Sequence, residues 1–146
     1  MRVEKTMDAS PEAIFELIGR SVAADMAQSG YKPKASGPKS GDHYTKTLRT
    51  KLGADRTVTV RINAFEAPSL YDVSFESSEG TTTMRYEITS QPEGSQVVYE
   101  ETFQAPSTLG KLNQKLMQGL LSASSKKRMR AQLNALEAQL TSSAAS

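Results

Sequence analysis

Five strand-like runs separated by links of three to six residues constrain this chain more than any other feature. His43 to Leu52, Arg56 to Glu66, Leu70 to Ser77, Thr81 to Thr89 and Gln96 to Gln104 each alternate apolar with polar side chains. Between them lie Gly53-Ala54-Asp55, Ala67-Pro68-Ser69, Ser78-Glu79-Gly80 and Ser90-Gln91-Pro92-Glu93-Gly94, all rich in turn-forming residues. A parallel return needs a crossover of a dozen or more residues, so links this short force antiparallel neighbours and a meander. Alternation predicts its inner face: Tyr44, Leu48 and Leu52; Val58, Val60 and Ile62; Tyr71, Val73 and Phe75; Met84, Tyr86 and Ile88; Val97, Tyr99 and Phe103. Arg49, Lys51, Arg61, Asp72, Glu76, Arg85, Glu87 and Glu100 fall on the opposite, solvated face.

Ahead of the meander, residues 2 to 8 alternate as a strand, and Ser10-Pro11-Glu12 reads as an N-cap, a proline in the first turn and an acid that complements the helix dipole. Ile14, Phe15, Leu17, Ile18, Val22 and Met26 then recur at helical spacing, with Gly30 as the stop. Tyr31 to Gly41 holds two Pro, two Gly and three Lys, the composition of a mobile loop. After Pro106 and Ser107 the helical period returns and holds to about Thr141, leaving 142 to 146 as a disordered tail and residues 1 to 141 as one domain. Along this last helix Leu109, Leu112, Leu116 and Leu120 share one side. Beyond Ser122-Ala123-Ser124-Ser125 that azimuth passes to Ala131, Ala135 and Ala138, while Met129, Leu133, Leu136 and Leu140 form a stripe on another side. Either the helix kinks at the serines or it continues with a thin alanine face toward the sheet. With no Gly or Pro after Gly119, continuity is expected, and the second leucine stripe is left for the first helix or, if exposed, for a homodimer.

Composition narrows the chemistry. With no Cys and one His among 146 residues, thiol catalysis, disulfides and Cys- or His-rich metal sites are excluded, so no metal and no cofactor are expected. His43 stands beside Gly41 and Asp42 and reads as a surface residue at a strand start, not a triad member. No run is apolar and long enough to cross a membrane, and the N-terminus lacks the apolar core of a signal peptide, so a cytoplasmic protein is expected. The net charge of +2 divides into −3 over residues 1 to 106 and +5 over the rest. Lys126, Lys127 and Arg128 nevertheless spread around their helix and lack aromatic companions, so nucleic acid is not an expected partner.

The element order, β-α-β-β-β-β-β-α, resembles the START-like or helix-grip (SRPBCC) superfamily, in which a curved antiparallel sheet of about six strands wraps around a long C-terminal helix. Val3-Glu4-Lys5-Thr6 leading to Ser10-Pro11-Glu12-Ala13-Ile14-Phe15, with the late Tyr99-Glu100-Glu101, is similar to small bacterial members of that superfamily that carry a domain of unknown function. The resemblance implies an α+β fold and a cavity between sheet and last helix that takes a small hydrophobic molecule. It carries over no catalytic residue. The expected lining is Tyr44, Lys46, Leu48, Val60, Ile62, Val73, Phe75, Met84, Tyr86, Tyr99 and Glu101 from the sheet, with Leu112, Leu116 and Leu120 from the helix. The same large side chains could instead fill the interior, and a volume of about 300 Å³ separates the two outcomes. Lys46, Thr50, Thr82 and Glu101 also alternate inward, where Lys46 and Glu101 either pair, orient a ligand or, after a one-residue register slip, face solvent. A non-enzymatic binder is the leading expectation, ahead of an interaction module with a filled core and a cyclase-like enzyme using Glu101 as base.

Overall fold

The computed structural model describes residues 1–31, 37–49, 55–105 and 126–140. The chain runs β1 (Arg2–Met7), α1 (Pro11–Gln28), β2 (His43–Arg49), β3 (Asp55–Glu66), β4 (Leu70–Ser77), β5 (Gly80–Gln91) and β6 (Gly94–Gln104). A C-terminal helix, α2, follows over 126–140. The strands form one curved antiparallel sheet in the order β1-β6-β5-β4-β3-β2. The fold is the expected α+β grip of a sheet around a C-terminal helix, and α1 joins its two edge strands. Ser10 caps α1 as expected, its Oγ accepting from the Ala13 amide at 3.2 Å.

Two hairpins are tighter than the sequence reading expects. Ser77 pairs with Gly80 and Gln91 with Gly94, so each link is a two-residue turn and the strands extend into the segments read as links. Both glycines sit at positive φ, and a Cβ at Gly94 would meet the Met7 carbonyl oxygen at 2.2 Å. A side chain is excluded there by space as well as by conformation.

A β-bulge interrupts β3 between Ile62 and Ala64, where two residues oppose one on β4. It reverses the alternation and turns Phe65 inward. Phe65 packs 4.8 Å from the Phe15 ring of α1 and 5.9 Å, edge-on, from Tyr71. Register then sets Phe65, Tyr71, Tyr86 and Tyr99 opposite one another on four consecutive strands. Tyr71 and Tyr86 stack at 6.0 Å and Tyr86 and Tyr99 at 4.5 Å, a row of rings across the sheet's inner face.

The core lies between this face and the two helices. From α1 it takes Ile14, Phe15, Ile18, Val22 and Met26, and from α2 Met129 and Leu133, with Leu136 and Leu140 packed against it. This corrects the reading of α2. Met129 and Leu133 are 0 % and 1 % exposed and Leu136 and Leu140 are partly buried, so the second leucine stripe docks within the molecule, while Ala131 and Ala138, expected toward the sheet, are exposed and Ala135 is exposed at a cavity wall. Burying leucine and methionine removes far more apolar surface from water than burying alanine, which decides which stripe docks. The Leu109 to Leu121 stripe, the Ser122–Ser125 junction, the inward Thr50 and Leu52, the middle of the Tyr31–Gly41 loop and the tail lie outside the described residues.

Candidate functional site

Among the described residues the interior is not completely filled. A cavity of about 320 Å³ opens between β2, β4 and β5, the C-terminal half of α1 and one face of α2. Its floor is Tyr44, Tyr71, Val73, Phe75, Met84 and Tyr86 of the sheet. Its walls are Ile18, Ser21, Val22 and Asp25 of α1 and Gln132, Ala135, Leu136 and Gln139 of α2. This volume lies at the small end of the range in which proteins bind organic ligands, and the lining is mostly apolar with a few polar groups.

Two polar clusters flank it. At one end Tyr44 donates a hydrogen bond to Asp25 Oδ2, and Lys46 Nζ lies 3.1 Å from the same oxygen and 3.2 Å from Oδ1. The Lys46 ammonium also sits 5.4 Å from the centre of the Phe75 ring, within reach of its π face. Asp25 lines both the cavity and a polar groove outside it that includes Gln28, Thr45 and Thr57, whereas Lys46 lines that outer groove alone. The ion pair therefore forms part of the wall between cavity and surface. Burial, reinforced by the hydrogen bond to Asp25, raises the Tyr44 hydroxyl well above the ordinary tyrosine range.

At the other end Tyr99 donates to Glu101 Oε2 at 2.8 Å, and Arg128 of α2 donates to Glu101 Oε1. Gln132 Nε2 donates to the Tyr86 hydroxyl oxygen at 2.8 Å, while its Oε1 accepts from Tyr99 at 3.4 Å. Burial pushes Tyr86 up to about 12, partly offset by the adjacent Tyr99 hydroxyl and the Gln132 amide. It raises Tyr99 further, helped by the proximity of Tyr86 and the hydrogen bond to Glu101. This cluster fastens α2 to β5 and β6. On the outer side Lys5 of β1 reaches Asn134 at 2.6 Å and Glu137 at 3.3 Å, a second tie to the same helix.

The family described as Domain of unknown function (DUF3284) matches residues 1–122. The chain belongs to that family. No functionally curated protein matches it. Among solved structures, the Protein of Unknown Function SA2116 from Staphylococcus aureus is 13 % identical at a TM-score of 0.71, covering 100 % of this chain and 95 % of its own. Ara h 8.0201 is 14 % identical at 0.65, covering 97 % of both chains. An uncharacterized protein from Rhizobium leguminosarum is 11 % identical at 0.64, covering 97 % and 93 %. Identities this low speak to the fold, and the fold these structures share with the DUF3284 chain is the sheet gripping its C-terminal helix.

Of the residues expected to line a site in this DUF3284 member, the structure brings Tyr44, Val73, Phe75, Met84 and Tyr86 to the cavity. Val60 and Ile62 are buried in the core beyond its lining, and Tyr99 lies behind Tyr86. Lys46 and Glu101 do turn inward, but they do not meet. They stand on β2 and β6, with three strands between them, and each has its own counter-ion, Asp25 for Lys46 and Arg128 for Glu101. The side chain of Leu48, with all of Leu112, Leu116 and Leu120, lies outside what the structure describes. Sequence reasoning missed Asp25, although it stands seven residues after Ile18 and three after Val22, a carboxylate on the apolar stripe of α1. That misplaced charge was the available signal. Gln132 and Gln139 gave none, because a glutamine on the exposed flank of a helix is ordinary.

Proposed function

We propose that this protein is a non-enzymatic, START-like binder of a small hydrophobic or amphipathic molecule, held between the sheet, α1 and the C-terminal helix. The observation that carries this reading is the 320 Å³ cavity, with its aromatic and aliphatic floor and its few polar groups grouped at the margins. A cyclase-like role for Glu101 gains no support from the geometry, since that carboxylate is engaged by Tyr99 and Arg128 and does not line the cavity. Among the described residues no helix is long and apolar enough to cross a membrane.

Native mass spectrometry on gently purified protein, with solvent extraction of the same sample, tests the reading. The expected result is a co-purifying small molecule that Met84→Trp, which fills the cavity floor, abolishes while the variant stays folded. Protein free of any ligand that also fails to take up apolar probes would remove the proposal.

A further inference from the structure

Among the buried polar side chains that line the cavity, one makes no hydrogen bond to a described residue, while the Gln139 amide at the rim is exposed. Ser21 donates to the Leu17 carbonyl, Asp25 is occupied by Tyr44 and Lys46, and the Tyr86 oxygen is occupied by Gln132. Tyr71 makes no side-chain hydrogen bond among the described residues, although the residue is only 8 % exposed. Among those residues no fully buried side-chain oxygen or nitrogen lacks a partner. The Tyr71 hydroxyl therefore reaches open space, and the space Tyr71 lines is this cavity. Its ring is clamped between Phe65, edge-on at 5.9 Å, and Tyr86, stacked at 6.0 Å, so the hydroxyl is held in place before any ligand arrives.

Charge around the cavity narrows what that hydroxyl can meet. Asp25 lines the cavity as well as the outer groove, while Lys46 lines the groove alone, so of the two charges the one at the cavity wall is negative. A carboxylate entering here meets the Asp25 carboxylate, and the Lys46 ammonium beside it is already paired. Burial and the neighbouring Tyr86 and Asp25 raise the Tyr71 hydroxyl above the ordinary tyrosine range, which keeps it a proton donor.

We propose that Tyr71 is the hydrogen-bond donor of the binding site, and that the ligand is an uncharged apolar molecule presenting a carbonyl or similar neutral acceptor oxygen to it. This rests on the ligand-binding reading above and gives that ligand a chemical class. A matched series of probes separates the two claims: 2-acetylnaphthalene, 2-ethylnaphthalene and 2-naphthoate, titrated into the full chain by calorimetry. The ketone is expected to bind about tenfold more tightly than the hydrocarbon, the span of one buried hydrogen bond, and the carboxylate most weakly. Tyr71→Phe should bring the ketone down to the hydrocarbon's affinity and leave the hydrocarbon unchanged. Equal binding of ketone and hydrocarbon to the unaltered protein, preference for the naphthoate, or a ketone preference that survives Tyr71→Phe overturns the donor assignment while ligand binding stands. Failure of all three probes to bind overturns both. Should Tyr71→Phe not fold, the infrared carbonyl band of the ketone bound to the unaltered protein decides. A shift to lower frequency than in hexane supports the hydrogen bond, and the hexane frequency refutes it.

Discussion

The two halves of the sheet's inner face carry similar side chains and end differently. On the β6 side Tyr99, Val97, Met129 and Leu133 are all within 1 % of complete burial, and Tyr86, Tyr99, Glu101, Arg128 and Gln132 are joined by hydrogen bonds between sheet and α2. Toward β2, rings and aliphatic side chains of the same kinds border an open cavity. The difference lies in what covers them. Over β5 and β6, α2 places methionine, leucine and a hydrogen-bonded network. Over the cavity the helices contribute, beside Ile18, Val22 and Leu136, the shorter or polar Ser21, Asp25, Gln132, Ala135 and Gln139, which leave the space unfilled. A void in a close-packed interior forfeits dispersion contacts and is kept only where the facing side chains cannot reach across it. The contrast teaches that the pocket is set by the helices and not by the sheet.

The harshest way to break the contrast is to attack the closed half. Leu133→Asp puts a carboxylate where 1 % of the residue is exposed, and the expected cost, more than about 4 kcal/mol, is read as loss of the cooperative urea transition. A residue serving only a dimer face would leave a folded monomer instead.

Alkaline titration tests both halves together. Tyr44, Tyr71, Tyr86 and Tyr99 all have pKa values raised in the folded state above the 10.0 of an exposed phenol. The unfolded chain thus releases these protons first, so the stability they contribute is complete below pH 10 and declines as pH rises through 12. Each tyrosine protonated only in the folded state lowers stability by about 1.4 kcal/mol per pH unit. Phenolate absorbance should therefore rise together with loss of near-ultraviolet circular dichroism. Two or more phenolates forming at pH 10 in a protein that stays folded would count against the burial of these four tyrosines, since Tyr31, the fifth, is not one of them.

Glu101→Gln weakens the clamp between α2 and β6 and should cost about 1–3 kcal/mol in chemical denaturation, since Arg128 loses its counter-ion and Tyr99 its charged acceptor. Ala135→Leu sharpens the comparison from the other direction by giving the open half a side chain that reaches inward. It should raise stability by about 1 kcal/mol and weaken probe binding in the same calorimetric titration. The smallest effect is expected at the cavity wall. Lys46→Met removes a partly buried ion pair worth about 1 kcal/mol, and its signature should be faster ligand exchange, followed by NMR, more than lost stability.

Much of this molecule is legible along the chain. The N-cap at Ser10, the stripe of α1, the meander and the inner face from Tyr44 to Tyr99 follow from local patterns, because alternation and short links act between residues that are near neighbours in sequence. Six of the cavity residues, Tyr44, Tyr71, Val73, Phe75, Met84 and Tyr86, came with that face. The bulge at Asn63 was not legible, since one extra residue in a strand leaves no mark on composition yet turns Phe65 from solvent to core. Nor was the partner of Lys46. The periodicity of α1 puts Asp25 on its buried side, but only the placement of α1 against β2 brings the two charges together.

By itself, then, the sequence determined the order of the elements, their antiparallel pairing and the sides on which their apolar residues fall, all consequences of short-range periodicity. The tertiary structure alone decided which stripe of α2 docks, how Phe65, Tyr71, Tyr86 and Tyr99 line up, and that a cavity remains. A row of stacked rings and an empty volume both depend on side chains far apart in the chain, and on how far across a shared space each of them can reach.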